Sequence, residues 1–173
     1  MPRLAVLRPA CLALFAAACA SAPDVPEYVP LSVETADYIR LGEGPCFGAC
    51  PVYELTLYHG GQYVLMAGRF TEGDERSVNR PADDSFEAAQ AILTEYGFAD
   101  LPEDISPGNE EACPHPATDL PTADITIGNA DGYYRTVHYY QGCFDETASA
   151  MLAGLREVMR IADLVSAVPL SER

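Results

Sequence analysis

Two cysteines four residues apart, Cys46 and Cys50, are the first candidates for a functional site. Such a pair can close a small disulfide loop or, when reduced, bind a soft metal cation or exchange electrons. The residues around the two cysteines help to decide between a disulfide loop and a reduced, reactive pair. Gly48 allows a tight turn between them, and Pro51 stops Cys50 from continuing a helix. We therefore expect a short loop closed by a disulfide and followed by a strand.

Four cysteines belong to the predicted domain: Cys46, Cys50, Cys113 and Cys143. In an oxidising compartment an even set is most simply a disulfide framework, and four cysteines allow three pairings. We favour Cys46 with Cys50 and Cys113 with Cys143. Chain-entropy arithmetic gives the larger loop of roughly 31 residues about 3.7 kcal/mol of stabilisation, against about 2 kcal/mol for the smaller one. The larger bridge should hold the domain together, and the smaller one should shape its loop.

The first 18 residues read as a secretory signal, with a positive start, a short apolar run and small residues before Cys19. The apolar run is shorter than the about 20 residues that span a bilayer. Phe15-Ala16-Ala17-Ala18-Cys19 resembles a bacterial lipobox, in which the cysteine is lipid-modified and becomes the new N-terminus. An ordinary signal cut near Ala20 is the alternative. We expect a lipoprotein anchored through Cys19. In a Gram-negative cell, Ala20 in place of Asp after the cysteine favours the outer membrane, with the domain facing the periplasm.

The remainder of the chain divides into three segments. Residues 19–32 hold several prolines and few large apolar residues, which indicates an extended tether. Residues 33–168 have the length of a single domain with a real core. Residues 169–173 form a short tail.

The composition is strongly acidic, with 26 acidic residues against 10 arginines, no lysine and a formal net charge of −16. Loss of Arg3 and Arg8 with the signal would leave eight arginines and a net charge of −18. A field of that sign repels phosphate backbones, so nucleic acid is not expected as a partner. The expected partners are the membrane, through the lipid anchor, and an unknown envelope protein or ligand. No cofactor is expected.

Apolar and β-branched runs, some of them alternating with polar residues, predict six strands. These strands cover residues 33–41, 52–58, 63–66, 76–79, 122–127 and 133–140. Gly60-Gly61 joins the second to the third, and Asn129 to Gly132 joins the last two, because glycine supplies the positive φ that tight hairpin turns require. Residues 101–121, rich in proline and acids, predict a long surface loop that contains Cys113 and His115.

Apolar residues at helical spacing predict two helices. One begins at Asp83, Asp84 or Ser85 and ends before Gly97. The other follows Asp145, and its buried stripe comprises Met151, Leu152, Leu155, Val158, Met159 and Ala162. The order of strands, helix, hairpin and helix predicts an α+β fold, an antiparallel sheet of hairpins with two helices packed on one face.

Four tyrosines mark the last predicted hairpin: Tyr133, Tyr134, Tyr139 and Tyr140. Half of them should face the core, since side chains alternate along a strand. An outward pair could form a binding surface, because tyrosine provides a large contact area at a low entropic cost.

The stretch Cys46-Phe47-Gly48-x-Cys50-Pro51-x-Tyr53, followed by a glycine-containing hairpin, resembles the signature of a bacterial domain family of unknown function found largely in envelope and secreted proteins. Weaker similarity extends to residues 96–98, 118–122 and 140–143, so that it covers about residues 36–165. The resemblance implies a fold and an envelope location, but no activity. Its motif residues Phe47, Gly48, Pro51 and Tyr53 are candidate site residues.

The CxxxCP spacing with a distant histidine, His138, also resembles copper-delivery proteins of the thioredoxin-like class. There, two thiolates and an imidazole bind a soft cation. In those proteins a helix follows the motif, and its N-terminus lowers the thiol pKa. Here a strand and a Gly-Gly hairpin follow, which argues against that chemistry.

The chain contains no G-x-S-x-G, H-E-x-x-H or P-loop pattern, so the sequence points to no particular enzymatic reaction. We therefore predict an envelope-anchored lipoprotein domain that acts as a non-catalytic binding or structural module without a metal. The alternative is a periplasmic thiol-based copper-binding or redox protein that uses Cys46, Cys50 and His138.

Overall fold

The computed structural model describes residues 30–72, 76–79 and 84–165. The predicted signal peptide, Cys19, most of the tether and the tail lie outside these residues. Among the helices of the described part, none is both long enough and apolar enough to cross a membrane.

Seven strands within the described residues form one sheet. They are β1 (Tyr38–Glu43), β2 (Tyr53–Tyr58), β3 (Gln62–Ala67), β4 (Arg76–Asn79), β5 (Asp104–Ile105), β6 (Thr122–Gly128) and β7 (Tyr134–Tyr140). Their order across the sheet is β4-β3-β2-β1-β6-β7-β5. The short β5 pairs in parallel with β7, and the other described pairs are antiparallel. The helices are α1 (Ser85–Glu95), α2 (Glu146–Val158) and α3 (Ile161–Leu164). The predicted α+β class is confirmed.

The core lies on one face of the sheet. Ile39 in β1 is opposite Leu57 in β2 and Ile127 in β6, and all three are buried. Because side chains alternate along a strand, the buried residues of the central strands share this face. The apolar residues of the helices belong to the same core, among them Phe86, Ala89, Leu93, Met151, Leu152 and Leu155. The opposite face carries polar residues such as Arg40, Glu54 and His138.

The caps of the helices follow from local sequence. The Asp145 side chain accepts a hydrogen bond from the Ala148 N–H at 2.7 Å and so caps α2. Asp84 precedes α1 but makes no side-chain cap hydrogen bond, and Asp83 lies outside the described residues. Gly97 follows α1 with φ 64°, the left-handed conformation expected of glycine after a helix.

The structure corrects three details of the predicted secondary structure. The first strand begins at Tyr38 and not at Val33, because residues 32–35 form a hydrogen-bonded turn. The stripe predicted for the last helix does not reach Ala162. Arg160 takes φ 56°, which ends the helix and starts α3 in a new register, so that Leu164 is buried and Ala162 is exposed. The loop after α1 also contains β5, which pairs Asp104 with His138.

Candidate functional site

The motif loop lies between β1 and β2. Cys46 and Cys50 are at disulfide distance, with 5.7 Å between their Cα atoms. Gly48 has φ 149°, a conformation that favours glycine. The Phe47 N–H donates a hydrogen bond to the carbonyl oxygen of Asp119 at 3.2 Å. The Phe47 side chain is 87% exposed, so the loop presents an aromatic ring to solvent.

A second cysteine pair fixes the long loop beside the motif. The Cα atoms of Cys113 and Cys143 are 5.0 Å apart, and Cys113 is buried. The Ala117 N–H donates to the Gly142 carbonyl at 2.8 Å. A side chain at Gly142 would come within 2.5 Å of the Ala117 carbonyl oxygen, so the contact requires glycine. Phe144 follows directly and is 62% exposed. The four cysteines thus lie in the two pairs that the sequence favours.

These segments meet at one end of the sheet, which we call the motif end and define as residues 44–52, 117–121 and 141–145. The Gly44 N–H donates to the Thr122 carbonyl, and the Gln141 N–H donates to the Pro121 carbonyl, both at 3.0 Å. Both exposed phenylalanines therefore lie on segments braced by cysteine pairs.

A partly buried ionic cluster connects the motif to α2. Glu43 and Tyr53 are opposite each other in the β1–β2 ladder, and the Tyr53 hydroxyl donates to Glu43 Oε1 at 2.6 Å. From α2, Arg156 donates through Nε to Glu43 Oε1 and through Nη2 to Oε2, both at 2.7 Å. The Glu43 side chain is only 11% exposed and that of Arg156 is 38% exposed. This is the bidentate geometry in which an arginine–carboxylate pair is strongest.

The surroundings of Tyr53 and Arg156 hold both groups in their protonated forms. Burial is the main cause that raises the pKa of the Tyr53 phenol far above its ordinary value, and the adjacent Glu43 carboxylate raises it further. The hydrogen bond to Glu43 raises the pKa of Arg156, against the opposing effect of burial. Tyr53 therefore remains a hydrogen-bond donor and Arg156 remains a cation at any physiological pH.

A cavity of about 330 Å³ opens beside this cluster. The motif contributes three of its residues, Cys50, Pro51 and Tyr53. The others come from the ends of strands and helices: Glu43, Pro121, Arg156, Ile161, Ala162 and Val165. The break at Arg160 brings α3 to the wall of the cavity, so a residue in an uncommon conformation helps to form the site.

Polar groups around Arg156 keep unused hydrogen-bonding capacity. No described residue accepts a hydrogen bond from Arg156 Nη1. Gln141 Oε1 lies 3.5 Å from Arg156 Nη2. The Gln141 Nε2 is buried and has no acceptor among the described residues. The cluster thus combines a satisfied Glu43 carboxylate with donors that remain open.

The structure does not bring Cys46, Cys50 and His138 together as a ligand set. The two cysteines are paired with each other. His138 Nδ1 lies 2.6 Å from Asp124 Oδ1, its cross-strand neighbour, on the sheet face away from the core. Over the described ranges, no three His, Cys, Asp or Glu side chains are grouped so that they could hold a metal ion.

The four tyrosines of the last hairpin divide unevenly. Tyr139 is buried, and its hydroxyl lies 2.6 Å from Ser149 Oγ on α2. Tyr140 is half-buried, and its hydroxyl donates to the Ala117 carbonyl at 2.8 Å. Tyr133 and Tyr134 are exposed. The expectation that half would face the core is wrong, because Tyr133 belongs to the turn and Tyr134 to the outer face.

Glu43, Arg156 and Gln141 are site residues that the sequence analysis did not identify. One signal was present. Arg156 lies four residues after Leu152 and three before Met159, on the edge of the apolar stripe of α2, where a charge needs a partner. Glu43 gave no comparable signal, since it ends a strand between two glycines, Gly42 and Gly44, with no apolar periodicity around it.

The fold and the site define an α+β domain with two cysteine pairs at disulfide distance, whose cysteine motif forms part of the wall of a cavity. The chain belongs to the family described as Domain of unknown function (DUF6438), whose profile matches residues 37–162. A comparison with curated proteins found no significant match. The expectation of a domain family of unknown function is confirmed by this match.

Proposed function

We propose that this chain is an envelope-anchored lipoprotein, held at the membrane through Cys19, and that its domain is a non-catalytic binding module. The motif end binds the partner or ligand. The observation that carries the proposal is the position of the motif end, which lies at the opposite end of β1 from the point where the tether enters.

The chain enters the sheet next to the hairpin turn at residues 129–132. The Asp37 N–H donates to the Gly128 carbonyl at 2.8 Å, and Asp37 Oδ2 accepts from the Ala130 N–H at 2.6 Å. Thr35 Oγ1 donates to the Pro30 carbonyl at 2.9 Å, so the first described residue is close by. The motif loop follows the other end of β1. Six residues of strand separate the two ends by about 20 Å. A domain tethered at Cys19 therefore carries its motif end away from the attachment point.

The side chains that line the cavity suit binding better than catalysis. Both Glu43 oxygens accept hydrogen bonds from Arg156, and one also accepts from Tyr53. Tyr53 and Arg156 keep their protons, so neither is suited to act as a general base. Cys50 is paired with Cys46 and offers no thiolate. The cluster is thus a fixed arrangement of dipoles and charges that a ligand can contact.

The exposed rings of Phe47 and Phe144 supply anchors for a protein partner. Large aromatic side chains contribute most of the binding energy at many interfaces. Each ring sits on a segment that a cysteine pair holds in place, so less conformational entropy is lost on binding. The predicted net charge of −18 favours a partner whose matching surface is basic.

Photo-cross-linking in living cells tests the proposal. The photoreactive residue p-benzoylphenylalanine replaces Phe47 in one strain and Tyr134, exposed at the opposite end of the sheet, in a control strain. We expect a discrete covalent adduct from position 47 that position 134 does not give. Identical adducts from the two positions, or none from position 47, would contradict the assignment of the motif end as the binding surface.

A further inference from the structure

We propose that the cavity beside the motif takes a small neutral ligand in which an apolar body carries a carbonyl oxygen, and that Arg156 recognises this oxygen. The inference rests on the proposed function, because it names the class of ligand for the same site.

The size and lining of the cavity indicate the chemical nature of the ligand's main body. A volume of about 330 Å³ is within the range of small-molecule sites. Pro51, Pro121, Ile161 and Val165 present apolar atoms to it. A ligand that displaces water from these residues gains from burial of apolar surface. The body of the ligand is therefore aliphatic or aromatic.

Arg156 supplies the polar contact. Its guanidinium carries five N–H donors in a fixed plane. Glu43 takes the donors of Nε and one of Nη2, and it thereby fixes the plane of the group. No described residue accepts from Nη1, and Arg156 lines the cavity with its side chain 38% exposed. The site offers a pre-oriented cationic donor, which calls for an oxygen acceptor.

Electrostatics select a neutral oxygen. Glu43 already neutralises Arg156 at 2.7 Å, so a ligand carboxylate at Nη1 would lie close to a second carboxylate. It would also enter the field of a chain whose formal net charge is −18 once Arg3 and Arg8 are removed. An ammonium group has no lone pair with which to accept a hydrogen bond from Nη1. A carbonyl oxygen brings no second negative charge and still accepts a charge-assisted hydrogen bond.

Three probes with the same six-carbon chain and different head groups test this inference: hexanamide, hexanoate and hexylamine. Each is titrated into a soluble form of the chain that starts at residue 20 and retains every described residue, and binding is followed by NMR shifts of the backbone amides. We expect saturable shifts at Ile161, Val165 and Tyr53 with hexanamide. We expect hexanoate and hexylamine to bind at least tenfold more weakly.

A matched pair of substitutions locates the binding. Ala162 lines the cavity and Ala153 lies on α2 outside it, and both are exposed. Ala162→Trp should fill the cavity and weaken hexanamide binding at least tenfold, whereas Ala153→Trp should leave it within twofold of wild type. Because neither position is buried, both variants should fold, as their NMR spectra will show.

Each other outcome overturns the inference. Absence of saturable shifts removes the site, and equal loss of binding in the two tryptophan variants places it elsewhere. Tighter binding of hexanoate or hexylamine than of hexanamide removes the neutral ligand class. A failure of this kind leaves the adduct at position 47 intact, and so it is distinguishable from a failure of the proposed function.

Discussion

Glu43 faces Tyr53 across the β1–β2 ladder, and its carboxylate accepts a 2.6 Å hydrogen bond from the Tyr53 hydroxyl. The same carboxylate binds Arg156, which lies 113 residues further along the chain. Tyr53 is the last residue of the cysteine motif. The motif is thus linked through one carboxylate to α2, and it forms part of a cavity wall.

Removal of the Glu43 carboxylate should destabilise the fold, because it leaves Arg156 half-buried without its partner. We expect Glu43→Gln to lower the free energy of unfolding by about 2 kcal/mol, as urea denaturation can measure. Glu54→Gln is the control, because Glu54 makes a looser pair with Arg40 at 3.6 Å and its side chain is 46% exposed, against 11% for Glu43. Its cost should be about 0.5 kcal/mol or less. Equal costs for the two variants would contradict a structural role for the cluster.

Tyr53→Phe should keep the packing of the ring and lose the hydrogen bond to Glu43, at a cost of about 1–2 kcal/mol near neutral pH. The pH dependence has a defined sign. The pKa of Tyr53 is raised in the folded state above its ordinary value of 10.0, so its contribution is fully present below pH 10.0 and declines as the pH rises further. The stability advantage of wild type over Tyr53→Phe should therefore shrink above about pH 10. An advantage that grows with pH in urea unfolding would contradict this assignment.

The anchor is tested by cell fractionation. Wild-type protein should be found with the membranes, because a lipid on Cys19 holds it there. Cys19→Ser should move it to the soluble envelope fraction. Wild-type protein that is soluble and cut at another residue would show that the lipoprotein assignment is wrong.

Loss of the two cysteine pairs should have unequal effects on stability. The Cys113→Ala/Cys143→Ala variant should lower the melting temperature more than Cys46→Ala/Cys50→Ala. The reason is that the longer loop restricts the unfolded chain more. The expected stabilisation is about 3.7 kcal/mol for the Cys113–Cys143 pair and about 2 kcal/mol for the Cys46–Cys50 pair. Differential scanning calorimetry of the two variants provides the comparison. The opposite order would mean that the motif loop, and not the long loop, holds the domain together.

Local signals account for the part of the fold that the sequence predicts. Gly60-Gly61 and Gly132 take the positive φ values that their hairpins need, and Asp145 caps α2. The ionic cluster depends instead on the packing of α2 against the end of β1, and nothing near Glu43 in the sequence specifies Arg156. The sequence also did not predict the break at Arg160. The apolar spacing continues through residue 162, whereas the helix ends before Arg160 and α3 begins after it, beside the cavity.

The redox state of the motif cysteines separates the two candidate functions, because a binding module needs the Cys46–Cys50 loop closed and a copper protein needs it open. Protein purified from its own compartment should resist alkylation at both cysteines and yield a peptide that links them. It should bind Cu(I) only after deliberate reduction. Free thiols with tight one-to-one Cu(I) binding, lost in Cys46→Ser, Cys50→Ser and His138→Ala, would contradict the account and establish the copper-binding alternative.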